Sequence, residues 1–374
     1  MKEILAKKFF DFYGYKPDVV SNASGRIEFI GNHVDYNGGV VLGAAISRHI
    51  CVALAKRSDS TMRFGNSKSR DSVCVSLDTC QKQPPRQNWA NYCIGVVKYA
   101  KEHGCKIDCG FDFLDMSDLP SGAGLSSSAA IELAMARALN ELYSLNLSTL
   151  EMVKISKKCE NEFMGMPCGI LDQGVSGFGS DNNLVFIDCL KDEFKSIMLP
   201  KEWKLWIFNT ATKHSLVDGA YAKLRESCMQ AAKILSGEGE FRLLRAFTAR
   251  DLENAKPKMD AVVYNRAKHI IDEIGRVFAA CKCIDEKDPV ALGKLLTASH
   301  WSSSRLFGNS CEELDWFVEK LTENKNVYGA RLSGGGFGGC VMAMTTSEFS
   351  EQDANKLCAE YEKTFSITPT KIKF

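Results

Sequence analysis

A chain of 374 residues with 45% hydrophobic and 25% charged residues has material for a sizeable core and suits two lobes, or one large domain with a cleft. Lys plus Arg number 47 against 46 for Asp plus Glu, and the net charge of +1 sets up no field for nucleic acid or an anionic membrane. With 9 prolines, 29 glycines and no apolar run of about 18 residues, a long disordered tract and a bilayer span are excluded as well.

Residues 1–20 carry apolar positions at Ile4, Phe9, Phe10 and Phe12 and read as a helix, followed by a turn at Gly14 and Pro17 and a glycine-marked loop at Gly25. Residues 40–54 and 73–77 are β-branched and apolar and read as strands, whereas 92–99 has helical spacing. An apolar strand at 111–114 leads into Leu119-Pro-Ser-Gly-Ala-Gly-Leu-Ser-Ser-Ser128 and a helix rich in Ala, Leu, Met and Glu to about Leu142. A second helix over 150–162 ends before Gly165 and Pro167. Residues 204–209 read as the strand that opens a second half. Helices then dominate from Tyr221 to Ala232, over 262–281 and over 314–321. Strands return at 327–332 and 341–345, flanking Gly334-Gly-Gly-Phe-Gly-Gly339. The class is mixed, α+β, without internal repeats, and domains are expected at 1–195 and 196–374. Fifteen cysteines are scattered with no C-x-x-C pair behind a polar, charged start, which points to reduced thiols in a cytoplasm.

A glycine-rich turn that feeds a helix presents several backbone N–H groups to one point, and the helix dipole adds about half a positive charge there. Residues 122–128 have that form and suit a phosphate. Ser126, Ser127 and Ser128 add hydroxyls for phosphate oxygens or for Mg2+, which takes hard oxygen ligands; an ordinary serine N-cap accounts for them equally well. Gly293-Lys294 lacks the upstream glycine of a Walker loop. Gly334, Gly336 and Gly339 fit G-x-G-x-x-G, but a strand follows instead of a helix, which leaves a tight glycine turn in place of a dinucleotide fingerprint.

Residues 25–39 pack Arg26, Glu28, Asn32, His33, Asp35 and Asn37 between glycines. Polar groups this dense suit a sugar, whose hydroxyls each need a partner when buried. A loop hydrogen-bond network is the plainer reading, and a metal on His33 and Asp35 the weakest. Asp172 stands among small and apolar residues in Cys168-Gly-Ile-Leu-Asp-Gln173, where a carboxylate needs a reason; an N-cap on the next helix would be one. Phosphoryl transfer needs a phosphate cradle, Mg2+, a group for the acceptor hydroxyl and a cation against developing charge, and candidates for each are present.

Together the three glycine segments resemble the motifs of the GHMP small-molecule kinases, and among these the galactokinase family more than mevalonate or homoserine kinases. His33-Val-Asp-Tyr-Asn-Gly-Gly39 is similar to the galactokinase signature, residues 120–129 and 331–340 to the second and third motifs, and weaker similarities extend over nearly the whole chain. The resemblance implies an α+β, two-lobed fold: an N-terminal lobe of the ribosomal protein S5 domain 2-like type, a C-terminal ferredoxin-like lobe, and the site between them. It implies ATP-dependent phosphorylation of the anomeric hydroxyl of a galactose-like sugar, with Asp172 as the catalytic carboxylate and Arg26 beside it. Mg2+ would fall to Ser128 and Glu160. Asn32, His33, Asp35, Gly169 and Tyr221 would meet the sugar. Gly122, Gly124, Leu125, Ser126, Ser127 and Ser128 would hold the phosphates, Trp89 and Tyr92 the adenine, and Gly334, Gly335 and Gly336 would close the site. The implied partners are sugar and ATP, without nucleic acid or membrane, in a cytoplasmic monomer or small homo-oligomer.

Two departures bear on the sugar. Most galactokinases carry Asn at the position of Glu28 and Glu at that of Asn32, where it contacts the outer hydroxymethyl; here the two types are exchanged. Losing a carboxylate near C6 would admit galacturonate, whereas mutual compensation would keep galactose. Trp301-Ser-Ser-Ser-Arg-Leu-Phe307 also replaces a charged, tyrosine-bearing run. A non-catalytic sugar and ATP sensor is the alternative from another class, and the presence of Arg26, Ser128, Glu160 and Asp172 together argues against it.

Overall fold

A computed structural model describes residues 1–66, 71–120, 123–180, 182–213 and 217–373. Helix α1 (Lys2–Tyr13) ends on Gly14, whose left-handed φ of 86° lets its N–H turn back onto the Phe10 carbonyl. Strand β1 (Val19–Ile30) follows, and Gly25 lies inside it, not in a loop. No alternation marks this strand in the sequence, because from Ala23 onward both of its faces are buried and Arg26 and Glu28 are buried among them. Strands β2 (Val40–Lys56), β3 (Thr61–Gly65) and β4 (Ser72–Ser76) precede helix α2 (Asn91–Glu102), strand β5 (Phe111–Ser117) and helix α3 (Ser127–Leu142). Helix α4 (Thr149–Lys158) starts on a Ser148/Glu151 capping box and runs into a single π turn, Cys159–Met164, stopped by Gly165 at φ 82°. Helix α5 (Leu171–Phe178) leads to strands β6 (Asn183–Asp188), β7 (Glu193–Met198) and β8 (Lys204–Lys213). Then come α6 (Val217–Ser236), α7 (Ala249–Ala255), α8 (Ala261–Asp285), α9 (Pro289–Ser302) and α10 (Glu312–Thr322). Strands β9 (Val327–Ser333) and β10 (Gly338–Thr345), helix α11 (Glu351–Phe365) and strand β11 (Thr370–Lys373) complete the described elements.

Packing divides the chain into two units, each built from separate stretches. The first holds Met1–Arg26, Ala45–Leu119 and Ser126–Gly179, the second Ile27–Ala44, Pro120–Leu125 and Ser180–Phe374. This differs from a linear boundary at 195/196 because β1 and β2 each run through both units.

In the first unit the strand order is β4-β3-β5-β2, antiparallel except for the β3–β5 pair. Helix α1 lays Leu5 and Phe9 onto Cys51, Ala53 and Ala55 of β2 and Leu114 of β5. Val52 and Leu54 point the other way and are equally buried, so the strand is covered on both faces. Alanine-rich α3 packs against α2, α4 and α5.

In the second unit the start of β2 pairs with β6, and β6 with β7. A separate antiparallel sheet has the order β11-β8-β10-β9. Its chain sequence, β8, helices, β9, β10, α11, β11, is the split βαβ pattern expected of a ferredoxin-like lobe. Leu314, Phe317, Val318 and Leu321 of α10 and Ala354, Leu357 and Tyr361 of α11 bury Trp206, Phe208, Ala330, Leu332, Val341 and Ala343 of the strands. Gly293 and Gly329 let α9 approach β9 so closely that a Cβ on Gly293 would fall 2.0 Å from the Tyr328 carbonyl oxygen. The Gly293-Lys294 pair thus serves packing. No helix of the described residues is long and apolar enough to cross a membrane, and all 15 cysteines are free.

Candidate active site

Two elements of the first unit, β1 and the N-terminus of α3, aim polar groups at Asp172, which occupies the first turn of α5. Arg26 of β1 donates from Nε to Asp172 Oδ1 at 2.7 Å, and Ser126 donates from Oγ to Oδ2 at 2.5 Å, so both carboxylate oxygens are held. Ser126 stands at the N-cap of α3 in a left-handed conformation (φ 55°) and makes no side-chain cap; its hydroxyl is turned to Asp172 instead. The Arg26 side chain is 7% exposed and that of Asp172 28%, which leaves the carboxylate open on one side.

Beside this pair lies a second acidic group. The π turn after α4 rotates Glu160 inward, where Ser128 hydrogen-bonds to it and Gln173 donates from Nε2 to its Oε2 at 2.6 Å. The same Nε2 reaches Glu132 Oε2 of α3 at 3.2 Å. Burial, reinforced by the Asp172 charge, pushes the Glu160 carboxyl up to about 7. Burial and the Glu160 charge also push Glu132 well up. Tyr92 of α2 is close enough for these carboxylates to add to the effect of burial, its phenol rising to about 12. Trp89 is half-buried in the single turn Pro85–Ala90, and Gly169 is buried just before α5.

The remaining candidates belong to the second unit. Gly334 and Gly336 in the loop between β9 and β10, and Gly338 and Gly339 at the start of β10, take φ of 89°, 85°, 120° and 82°, which glycine adopts readily. Gly124 faces this segment, with the Cα of Gly339 and the Ser333 carbonyl as neighbours, and Cys340 Sγ donates to the Ala123 carbonyl at 2.6 Å. The second and third glycine segments therefore lie against each other; Leu125 is buried beside them, and Gly122 lies outside the described residues. A Cβ on Gly336 would come 1.9 Å from the Asn309 carbonyl oxygen. Gly336→Ala is expected to cost about 2–5 kcal/mol, seen as a lower urea midpoint at unchanged slope.

Asn32 is fully buried, and its amide is saturated by the protein. Nδ2 donates to Glu28 Oε1 and to the Gly334 carbonyl, both at 2.9 Å, while Oδ1 accepts from Ser303 at 3.1 Å and Asn309 at 2.8 Å. Glu28 in turn pairs with fully buried Arg331 at 2.7 Å. The two departures noted in the sequence therefore meet in one network: Ser303 belongs to the unusual 301–307 segment, whose π turn Ser303–Phe307 also brings Phe307 within 4.7 Å of the rings of His33 and His269.

His33 (φ 60°) lies among Phe307, Tyr221 at 5.0 Å and Tyr36 at 5.7 Å. With burial favouring the neutral ring, Nε2–H donates to the Gly335 carbonyl at 3.1 Å and Nδ1 accepts from the Tyr36 hydroxyl at 2.9 Å. Asp35 and Tyr221 are half-buried nearby, and Asp35 Oδ1 accepts the Tyr36 N–H.

Behind them, one face of α8 presents His269, Glu273 and Arg276. Glu273 Oε1 accepts the backbone N–H groups of Gly31 and Asn32 and the Ser299 hydroxyl, and Oε2 accepts Arg276 Nε at 2.5 Å. Ser302 accepts from Arg276 and donates to His269 Nδ1, and His269 Nε2–H donates to the Asn32 carbonyl. Motif reading missed this face; its signal is a polar i, i+4, i+7 stripe that is buried beside Ile270, Ile274 and Val277.

Burial lowers His33 to about 3 and His269 to about 4. Burial alone would raise Glu273, but Arg276, His269 and Arg331 outweigh it and hold the carboxyl at about 2. All three groups bind fewer protons folded than unfolded, so their contribution is complete above pH 6.5 and is lost as the pH falls toward 4 and below. At about 1.4 kcal/mol per pK unit, several kcal/mol should disappear on acidification. Urea melts from pH 7.5 to 4 should show a falling midpoint, with a shallower fall in His269→Gln; a flat profile would refute the neutral histidines.

The first unit thus carries a fixed carboxylate with a guanidinium and an oxygen-rich acidic group, and the second unit a glycine-lined polar and aromatic cluster. Family comparison agrees with that chemistry. Residues 7–56 match the galactokinase galactose-binding signature, 91–180 the N-terminal domain of GHMP kinases and 280–365 their C-terminal domain. A galactokinase of Actinobacillus pleuropneumoniae is 35% identical over 376 aligned residues, spanning 99% of this chain and 96% of the relative. One from Enterococcus faecalis is 36% identical over 354 residues, spanning 93% and 91%. The structure of Lactococcus lactis galactokinase complexed with galactose superposes with a TM-score of 0.94 at 28% identity, covering 99% of this chain and 97% of that one. A mevalonate kinase, at 17% identity and a TM-score of 0.67, shares the fold. With family signatures, fold and full-length relatives in agreement, the chain belongs to the galactokinase family of the GHMP kinases.

Proposed function

We propose that the chain is an ATP-dependent sugar 1-kinase that transfers the γ-phosphoryl group of ATP to O1 of galactose. The observation that carries this reading is Asp172, held at both oxygens by Arg26 and Ser126 yet partly open; full-length relatives named galactokinase support the substrate. Asp172 accepts the hydrogen bond of the sugar O1–H and lines its oxygen up for in-line attack, and Arg26 counters charge on the transferring group. The N-terminus of α3 and the glycine segment before it supply backbone N–H groups to the phosphates, with Ser127 and Ser128 in the first turn. Trp89 and Tyr92 take the adenine. His33, Asp35, Gly169 and Tyr221 take sugar hydroxyls, while saturated Asn32 acts from behind them.

Ser128 and Glu160 suit Mg2+: both offer hard oxygen, and buried Glu132 Oε1 and Gln173 Oε1 beside them have no hydrogen-bond partner in the protein. When bound, the ion would neutralise phosphate charge. Because Glu28 and Asn32 satisfy each other and Arg331, their exchange supports galactose over galacturonate. The free cysteines support a reducing, cytoplasmic setting.

The test is incubation of purified protein with Mg·ATP and galactose, galacturonate, N-acetylgalactosamine, arabinose, fucose or mevalonate, with ADP and the phosphorylated position measured. Galactose 1-phosphate as the main product upholds the reading. A preference for galacturonate overturns the substrate, and binding of sugar and ATP without turnover makes the protein a sensor.

A further inference from the structure

We propose that Gln173 is the positioning residue of Glu160, holding that carboxylate through a bridge whose far end is Glu132; the inference rests on the reading of Ser128 and Glu160 as divalent-cation ligands. Gln173 is fully buried, and its amide nitrogen spans the two acids, 2.6 Å from Glu160 Oε2 and 3.2 Å from Glu132 Oε2. The two hydrogens on that one nitrogen let a neutral side chain serve both acids at once. A glutamate at 173 would crowd three acceptors into a dry site, and an apolar residue would remove the donor that spans the two buried acids.

The backbone makes the bridge rigid. Glu132 sits one turn beyond Ser128 on α3, so one helix supplies both a ligand and the anchor. Asp172 and Gln173 are consecutive in the first turn of α5, about 100° apart around the axis, so one faces Arg26 and Ser126 while the other faces the acids. Any shift of the cation ligand is thereby tied to the carboxylate at the acceptor end. Such outer partners typically govern metal affinity by about 10- to 100-fold.

The experiment titrates Mn2+ into the protein with a non-hydrolysable ATP analogue and no sugar, by calorimetry. It compares wild type, Gln173→Met and Gln173→Asn, with thermal melts as the check on folding and sugar KM measured separately. Each folded variant is expected to bind Mn2+ about 10- to 100-fold more weakly, to need proportionally more Mn2+ for half-maximal turnover, and to keep its sugar KM within about two-fold. Glu132→Leu should reproduce the shift from the other end of the bridge. Wild-type Mn2+ affinity in any folded variant overturns the proposal, as does a parallel loss of sugar and metal affinity, which would mark a structural role alone. Should wild type bind Mn2+ and nucleotide but phosphorylate no sugar, the kinase reading fails while the titration still decides this bridge.

Discussion

Asp172→Asn is expected to lower kcat for sugar phosphorylation by about 10^2- to 10^4-fold with ATP and sugar affinities nearly intact. Asparagine has the shape of aspartate and can keep its oxygen toward Arg26 Nε, which lies 2.7 Å from Oδ1. Its NH2 would then meet the Ser126 hydroxyl, now 2.5 Å from Oδ2, and that hydroxyl can rotate from donor to acceptor. The scaffold therefore survives, and what disappears is the anionic acceptor for the sugar hydroxyl. Single-turnover kinetics with isotopically labelled ATP separate this from a binding defect. A kcat within a few-fold of wild type would remove Asp172 from the chemistry and leave it a structural partner of Arg26.

Asn32→Glu should destabilise the protein by about 3–5 kcal/mol, the range for a buried charge left uncompensated. The new carboxylate would replace a donor that now serves Glu28 Oε1 and the Gly334 carbonyl, and would stand against the Glu28 carboxylate itself. Glu28→Asn should be costly for the opposite reason, because fully buried Arg331 loses its carboxylate. Made together, the two substitutions should cost less than their sum by about 1–3 kcal/mol, since a carboxylate and an amide again face each other near Arg331. Urea denaturation of the four proteins measures this coupling. A coupling near zero would mean that the exchange is not compensatory, and the double variant's preference between galactose and galacturonate would then have to be explained by other residues.

Much of the fold was legible because its elements announce themselves. Gly14 closes α1, the alanine-rich run after the serines is α3, and the β-branched runs at 327–332 and 341–345 are β9 and β10. Strand β1 was hidden by Arg26 and Glu28, polar residues that are buried only because Asp172 and Arg331 meet them from 146 and 303 residues away. The site was legible where glycine or a lone acid in an apolar setting gave it away, as at Gly334 and Asp172. Local pattern was silent where two π turns redirect side chains: nothing in Cys159–Met164 or Ser303–Phe307 says that a helix gains an extra residue there and swings Glu160 or Ser303 inward, and Glu160 was reached through the family resemblance alone. The saturation of Asn32 was equally invisible, since its four partners come from four places in the chain.

The interleaved make-up of the two units has a consequence for synthesis on the ribosome. Residues 27–44 emerge well before Ser180–Phe374, with which they belong, and Glu28 waits for Arg331. At about 5–20 residues per second, the start of β2 waits about 10 s for β6, and Glu28 waits tens of seconds for Arg331. Release of the nascent chain before β6 would leave the start of β2 without its neighbour, and release before β9 would leave Glu28 without Arg331, so truncated products should aggregate and recovery of soluble protein should depend on chaperone capacity more than on the stability of the finished fold.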